Sequence, residues 1–191
     1  MDTQQLNGFK TMNLYRNPFA SPTEEAIGTD FIGRKSVLKK MHEYIINADK
    51  ISNYHIVGLP RIGKSSLLKA FKTMIQENHY SHDLVVLYIS LDECDNSNDM
   101  WRIIGKGIRK ELKKQFHSSD KYTNFIDELD FEDVDENNID YEYVCSVARC
   151  MKASGFLGLI LIDEFDNFST IATKGTVGQV RTLFSGSEYG L

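Results

Sequence analysis

The 191-residue chain carries 22 Lys+Arg against 27 Asp+Glu, a formal net charge of −5, with 41% apolar and 26% charged residues. That balance excludes wholesale disorder, collagen and a disulfide scaffold, and a chain of this length buries enough surface to fold without a disulfide or metal staple. The longest apolar run, 156–162 with Gly158 counted, falls far short of the about 18 residues a membrane-spanning helix needs.

The start, Met1-Asp2-Thr3-Gln4-Gln5, has neither the basic nor the apolar region of a secretory signal. Cys94, Cys145 and Cys150 form an odd set without zinc spacing, the usage of reduced thiols. The expectation is a cytoplasmic protein with no membrane partner. The net charge conceals an asymmetry. Residues 127–142 hold nine acids and no Lys or Arg, so the rest of the chain is mildly basic.

Residues 1–30 are polar and broken by Asn17-Pro18-Phe19 and Ser21-Pro22, a lead-in segment outside the core. Over 35–48, Val37, Leu38, Met41, Ile45 and Ala48 recur at helical spacing. Tyr54-His55-Ile56-Val57 reads as a short buried strand ending at Gly58. Leu67, Leu68, Phe71 and Ile75 then mark a helix over 65–76. A second buried strand is expected in the aliphatic run 84–91. A helix over 100–116 follows, with the stripe Trp101, Ile104, Ile108, Leu112 and Phe116 and a basic opposite face. An acidic insertion at about 118–140 separates it from a helix at about 141–151. A third strand, 158–162, ends in Asp163-Glu164, and a last helix lies around 177–184. Strands apolar on both faces, alternating with helices, imply an α/β domain at 31–191 whose parallel sheet is covered on both sides.

Gly58-Leu59-Pro60-Arg61-Ile62-Gly63-Lys64-Ser65 fits G-x-x-x-x-G-K-[ST], with an apolar run before it and a helical pattern after it. The glycines allow backbone N–H groups to converge on phosphate oxygens, and the following helix adds partial positive charge at its N-terminus. Lys64 reaches β- and γ-phosphates, and the Ser65 hydroxyl is suited to Mg²⁺. Ser66 continues the loop. Arg61 is as well explained by a solvent-facing side chain as by a phosphate contact. At the carboxyl end of the third strand, where ligands bind in open α/β sheets, Asp163 would hold Mg²⁺ and Glu164 would act as general base on the attacking water. ATP is favoured over GTP because no Asn-Lys-x-Asp tetrad occurs.

The order Asn17-Pro18-Phe19, Phe31-Ile32-Gly33-Arg34, the glycine-rich loop through Ser66, and Leu161-Ile162-Asp163-Glu164-Phe165-Asp166 resembles prokaryotic STAND NTPases, signal-transduction ATPases related to the AAA+ class. The resemblance covers the chain from about residue 15 onward. It implies a P-loop NTPase fold, ATP and Mg²⁺ as ligands, and a Walker A and Walker B pair. It also implies a base pocket lined by Phe31, Ile32, Gly33 and Arg34. Family members use ATP binding as a switch and many serve as intracellular sensors, including in defence against phage.

In that family a sensor strand lies between the P-loop strand and the Walker B strand. The chain stops at Gly190-Leu191, about where that strand would begin. The sheet is therefore expected to be incomplete, rearranged, or completed by a partner or a second copy.

Other signals are weaker. Asp133-x-Asp135-x-Asn137 starts like an EF-hand, but Asn138 replaces the glycine and Val144 the final glutamate; a solvated insertion fits better. Lys110, Lys113 and Lys114 suit a nucleic-acid backbone, yet the negative net charge favours a solvated helix face. Gly105-Lys106-Gly107 has no strand before it and mimics a phosphate loop. The expected function is Mg·ATP binding with slow, switch-like hydrolysis. The alternatives are a nucleotide-binding or interaction module without turnover and a DNA-linked AAA+ ATPase.

Overall fold

The computed structural model describes residues 34–45, 53–77, 83–116 and 134–185, with the side chains of 115 and 116 excepted. The lead-in, Phe31, Ile32 and Gly33 lie outside them, as does 118–133 of the acidic insertion. In chain order the helices and strands are α1 (Lys35–Ile45), α2 (Lys64–Glu77), β1 (Leu84–Ser90), α3 (Ser97–Phe116), α4 (Tyr141–Ala153), β2 (Leu157–Asp163), α5 (Phe168–Ile171) and α6 (Lys174–Ser185).

β1 and β2 run parallel, Leu84 facing Leu157 and Ser90 facing Asp163. Alternating side chains feed two separate cores, as a period of two requires. Val85, Leu87, Ile89, Ile160 and Ile162 meet α3, α4 and α6 on one face. Val86, Tyr88, Leu159 and Leu161 meet α1 and α2 on the other. The sheet is thus covered on both faces. The stripe on α3 is buried, Trp101, Ile104, Ile108 and Leu112 all being 1% exposed or less. Trp101 packs at a tilt against Tyr141, ring centres 5.1 Å apart, and donates its indole N–H to Gln179 at 3.2 Å, which pins α6. Lys72 of α2 pairs with the buried Glu111 of α3 at 2.9 Å, so neither charge is left alone in the interior. The three cysteines are free thiols. Burial, then Asp99, Glu93 and Asp95, push the Cys94 thiol up, which keeps it protonated and unreactive at neutral pH.

One expected strand does not form. Residues 54–57 belong to no sheet. Val57 is 93% exposed, and Tyr54 is exposed as well. A short apolar run becomes a strand only when a neighbour takes up its backbone groups, and among the described residues β1 and β2 pair only with each other. Ile56 alone packs against the core of α1 and α2.

The described part of the acidic insertion, 134–140, is largely exposed, in keeping with a solvated insertion, but it is anchored. Its last part folds onto α3. Glu136 pairs with Lys106, Arg109 donates to the Val134 carbonyl, and Asp140 caps α4 by accepting from the Tyr143 N–H at 2.9 Å. Ile139 is 2% exposed and fills a notch at Gly105, where a Cβ would stand 2.4 Å from its Cγ2. At Gly107 a Cβ would stand 2.3 Å from Leu87 Cδ1. These glycines let α3 approach the sheet and the insertion closely. Gly107→Ala is therefore expected to lose about 1–3 kcal/mol through overpacking, outweighing the roughly 1 kcal/mol that helix propensity returns. Urea unfolding followed by Trp101 emission measures the difference.

Candidate functional site

The register decides where the strand-end acid points. Asp163 shares the sheet face of Leu159 and Leu161, the face packed by α2. It is 5% exposed. Both carboxylate oxygens are engaged: the Tyr88 phenol donates to Oδ2 at 2.6 Å and the Glu164 N–H donates to Oδ1 at 3.0 Å.

Glu164 leaves β2 in the left-handed region, φ 50° and ψ 43°, and starts the 3₁₀ turn Phe165–Asn167. A non-glycine residue held there costs about 1–2 kcal/mol. Its carboxyl titrates above the usual glutamate range, first through burial, then through Asp163, Asp92 and Asp166; Lys64 acts in the opposite direction. The loop lysine and the strand-end glutamate are thus within electrostatic reach. Asp92 belongs to the 3₁₀ turn Leu91–Glu93 that follows β1, and Asn167 donates its side-chain N–H to it. That bond ties the two strand ends together. Sequence reasoning passed over Asp92, although it meets the same criterion as Asp163, an acid at the carboxyl end of a parallel strand.

The glycine-rich loop enters α2 through Gly63 at φ 83°. The first bond of the helix ladder runs from Leu67 N–H to Gly63 O at 3.1 Å. The N–H groups of Lys64, Ser65 and Ser66 therefore lie ahead of the ladder, the donor arrangement that suits an anion. Lys64 Nζ lies on the loop itself, donating to Gly58 O at 3.2 Å and Leu59 O at 3.3 Å. Gly58, Pro60, Arg61 and Ile62 are exposed, Gly63, Lys64 and Ser65 are half-buried, and Ser66 is buried.

Arg34 precedes α1, and its guanidinium reaches across to the loop. It donates to Gly63 O at 3.3 Å and also to Ile62 O. Its position is that of a brace on the loop backbone. Arg34, Arg61 and Glu164 are the non-glycine residues with positive φ among those described. All three sit in this site, and backbone strain of that kind clusters where a ligand or reaction uses it.

The donor set fits a nucleotide with its metal. The α2 N-terminus and Lys64 suit phosphate. Ser65 and Asp163 are hard oxygen donors of the kind Mg²⁺ takes when phosphates fill the remaining positions. No group of three or more His, Cys, Asp or Glu poised for a metal occurs among the described residues. On α3, Lys110, Lys113 and Lys114 are exposed, whereas Lys106 and Arg109 are engaged by the acidic segment.

No helix among the described residues is long and apolar enough to cross a membrane. No family model matches the chain, and comparison with curated proteins and with solved structures gives no match.

Proposed function

We propose that the chain is the ATP-binding domain of a P-loop ATPase resembling the STAND branch of the AAA+ class, acting in the cytoplasm as a nucleotide-dependent switch. The observation that carries this reading is that α2, which starts at Lys64, packs on the sheet face Asp163 shares, with Lys64 within electrostatic reach of Glu164. Lys64 leaves the Gly58 and Leu59 carbonyls to neutralise the β- and γ-phosphates. Ser65 and Asp163 hold Mg²⁺, which supplies charge neutralisation at the phosphate oxygens. Glu164 accepts a proton from water as its oxygen attacks the γ-phosphorus, and ADP leaves. A carboxyl shifted upward is the better base for that step.

The second reading, a module that binds nucleotide or a partner without turnover, is favoured by residues 54–57, which belong to no sheet and of which Tyr54, His55 and Val57 are exposed. A strand from a partner or a second copy would order them. DNA attachment is the less favoured reading, because two cations of α3 are already used within the chain.

Calorimetric titration of the purified chain with Mg·ATP, repeated with Mg·GTP, tests the proposal. Saturable binding that prefers ATP is the expected result. A folded chain, checked by Trp101 emission, that binds neither nucleotide would eliminate the autonomous ATPase and leave the partner-dependent module.

A further inference from the structure

Asp163 is buried, and no lysine or arginine among the described residues forms an ion pair with it. A carboxylate in that position needs strong donors to stay oriented. Its own neighbour's N–H supplies one, at 3.0 Å. The other comes from the adjacent strand: Tyr88 of β1 lies two positions before Ser90, the residue in register with Asp163, and its phenol reaches diagonally to Oδ2 at 2.6 Å. The ring is itself held. Lys69, one turn into α2 from Ser65, places Nζ 5.2 Å from the centre of the Tyr88 ring. A cation on the ring face draws electron density from it and sharpens the phenol as a donor.

We propose that Tyr88 is a positioning residue for the metal-binding carboxylate. It fixes the Asp163 carboxylate plane by occupying Oδ2, and Lys69 sets the strength of that hold. The inference rests on the Mg·ATP reading of the site and assigns within it a role to two residues with no direct contact to nucleotide. Partners of this kind, one step removed from a metal, set its affinity when they orient a ligand.

The test compares the wild-type chain with Tyr88→Phe, which keeps the ring and removes the donor. ATP affinity is measured in EDTA, and Mn²⁺ affinity of the protein–ATP complex is read by electron paramagnetic resonance. The expected result is unchanged ATP affinity without metal and Mn²⁺ affinity weakened about tenfold. Lys69→Met is expected to move Mn²⁺ affinity in the same direction by a smaller factor and serves if Tyr88→Phe proves unstable. In an Asp163→Asn background, Tyr88→Phe should add no further loss, since the two residues then act as one unit.

Equal Mn²⁺ affinity in wild type and Tyr88→Phe would overturn the assignment while leaving the ATP reading intact. So would a loss of the same size in EDTA, which would mark Tyr88 as a structural residue only. Absence of nucleotide binding by the wild type would overturn both.

Discussion

Replacing Lys64 by alanine is expected to abolish measurable Mg·ATP binding while leaving the fold unchanged. Lys64 is half-buried, and its hydrogen bonds are to carbonyls of its own loop, Gly58 O and Leu59 O. Those bonds stabilise the loop modestly, by about 1 kcal/mol each or less at a partly exposed position. Against a nucleotide the same ammonium would make charge-assisted bonds to two phosphates, each worth roughly 1.5–3 kcal/mol. Losing both weakens binding by about 100-fold or more. Arg61 is exposed, and among the described residues no hydrogen bond or ion pair holds its guanidinium on the loop, as the Gly58 and Leu59 carbonyls hold Lys64, so Arg61→Ala should shift affinity far less. Titration calorimetry on both variants, with Trp101 emission as the folding control, separates the two cations.

Glu164→Gln should have the opposite profile, keeping ATP binding but lowering turnover by about 10²–10⁴, the range a positioned general base contributes. Single-turnover hydrolysis measures that loss. The same substitution should raise thermal stability in metal-free buffer at neutral pH. Burial, then Asp163, Asp92 and Asp166, raise the folded-state carboxyl above its ordinary value of 4.5. The folded chain therefore holds the proton more tightly than the unfolded chain. Stability from Glu164 is present below pH 4.5 and is lost as pH rises through the raised folded value. Above that window the charge opposes folding, and glutamine removes it. Melting curves of the two proteins should converge as pH falls toward 4.5 and separate above it.

Much of this was legible in the sequence for a physical reason. β1, β2 and the α3 stripe rest on local patterns, apolar on both faces for the strands and at helical spacing for α3, and local patterns survive folding when both sides find cover. Lys64, Ser65, Asp163 and Glu164 stand out in the sequence because phosphate and metal chemistry would restrict residue type at fixed spacing; the structure places them at the start of α2 and the end of β2. The residues 54–57 look the same as β1 by composition, yet they lie unpaired, because a strand is decided by its neighbours and those are not encoded nearby. The Tyr88–Asp163 bond and the Arg34 brace depend on register and on tertiary approach, which no window of sequence contains. Gly105-Lys106-Gly107 reads in the sequence as a mimic of a phosphate loop, and the structure puts it inside α3; what the sequence does not show is the close packing, with Ile139 and Leu87 in the space the two glycines leave.

The parallel pairing of β1 with β2 joins segments separated by α3, the acidic segment and α4. Closing so wide a loop is slow, and the entropy is lost before the contacts are gained. During synthesis β1 emerges long before its partner, with only the helices on either side to shelter Val85, Leu87 and Ile89. The step that finally seats β2 also brings in Asp163 and Glu164 beside Lys64. Completion of the sheet and assembly of the charged site are therefore one kinetic event, and an intermediate that has yet to seat β2 has neither.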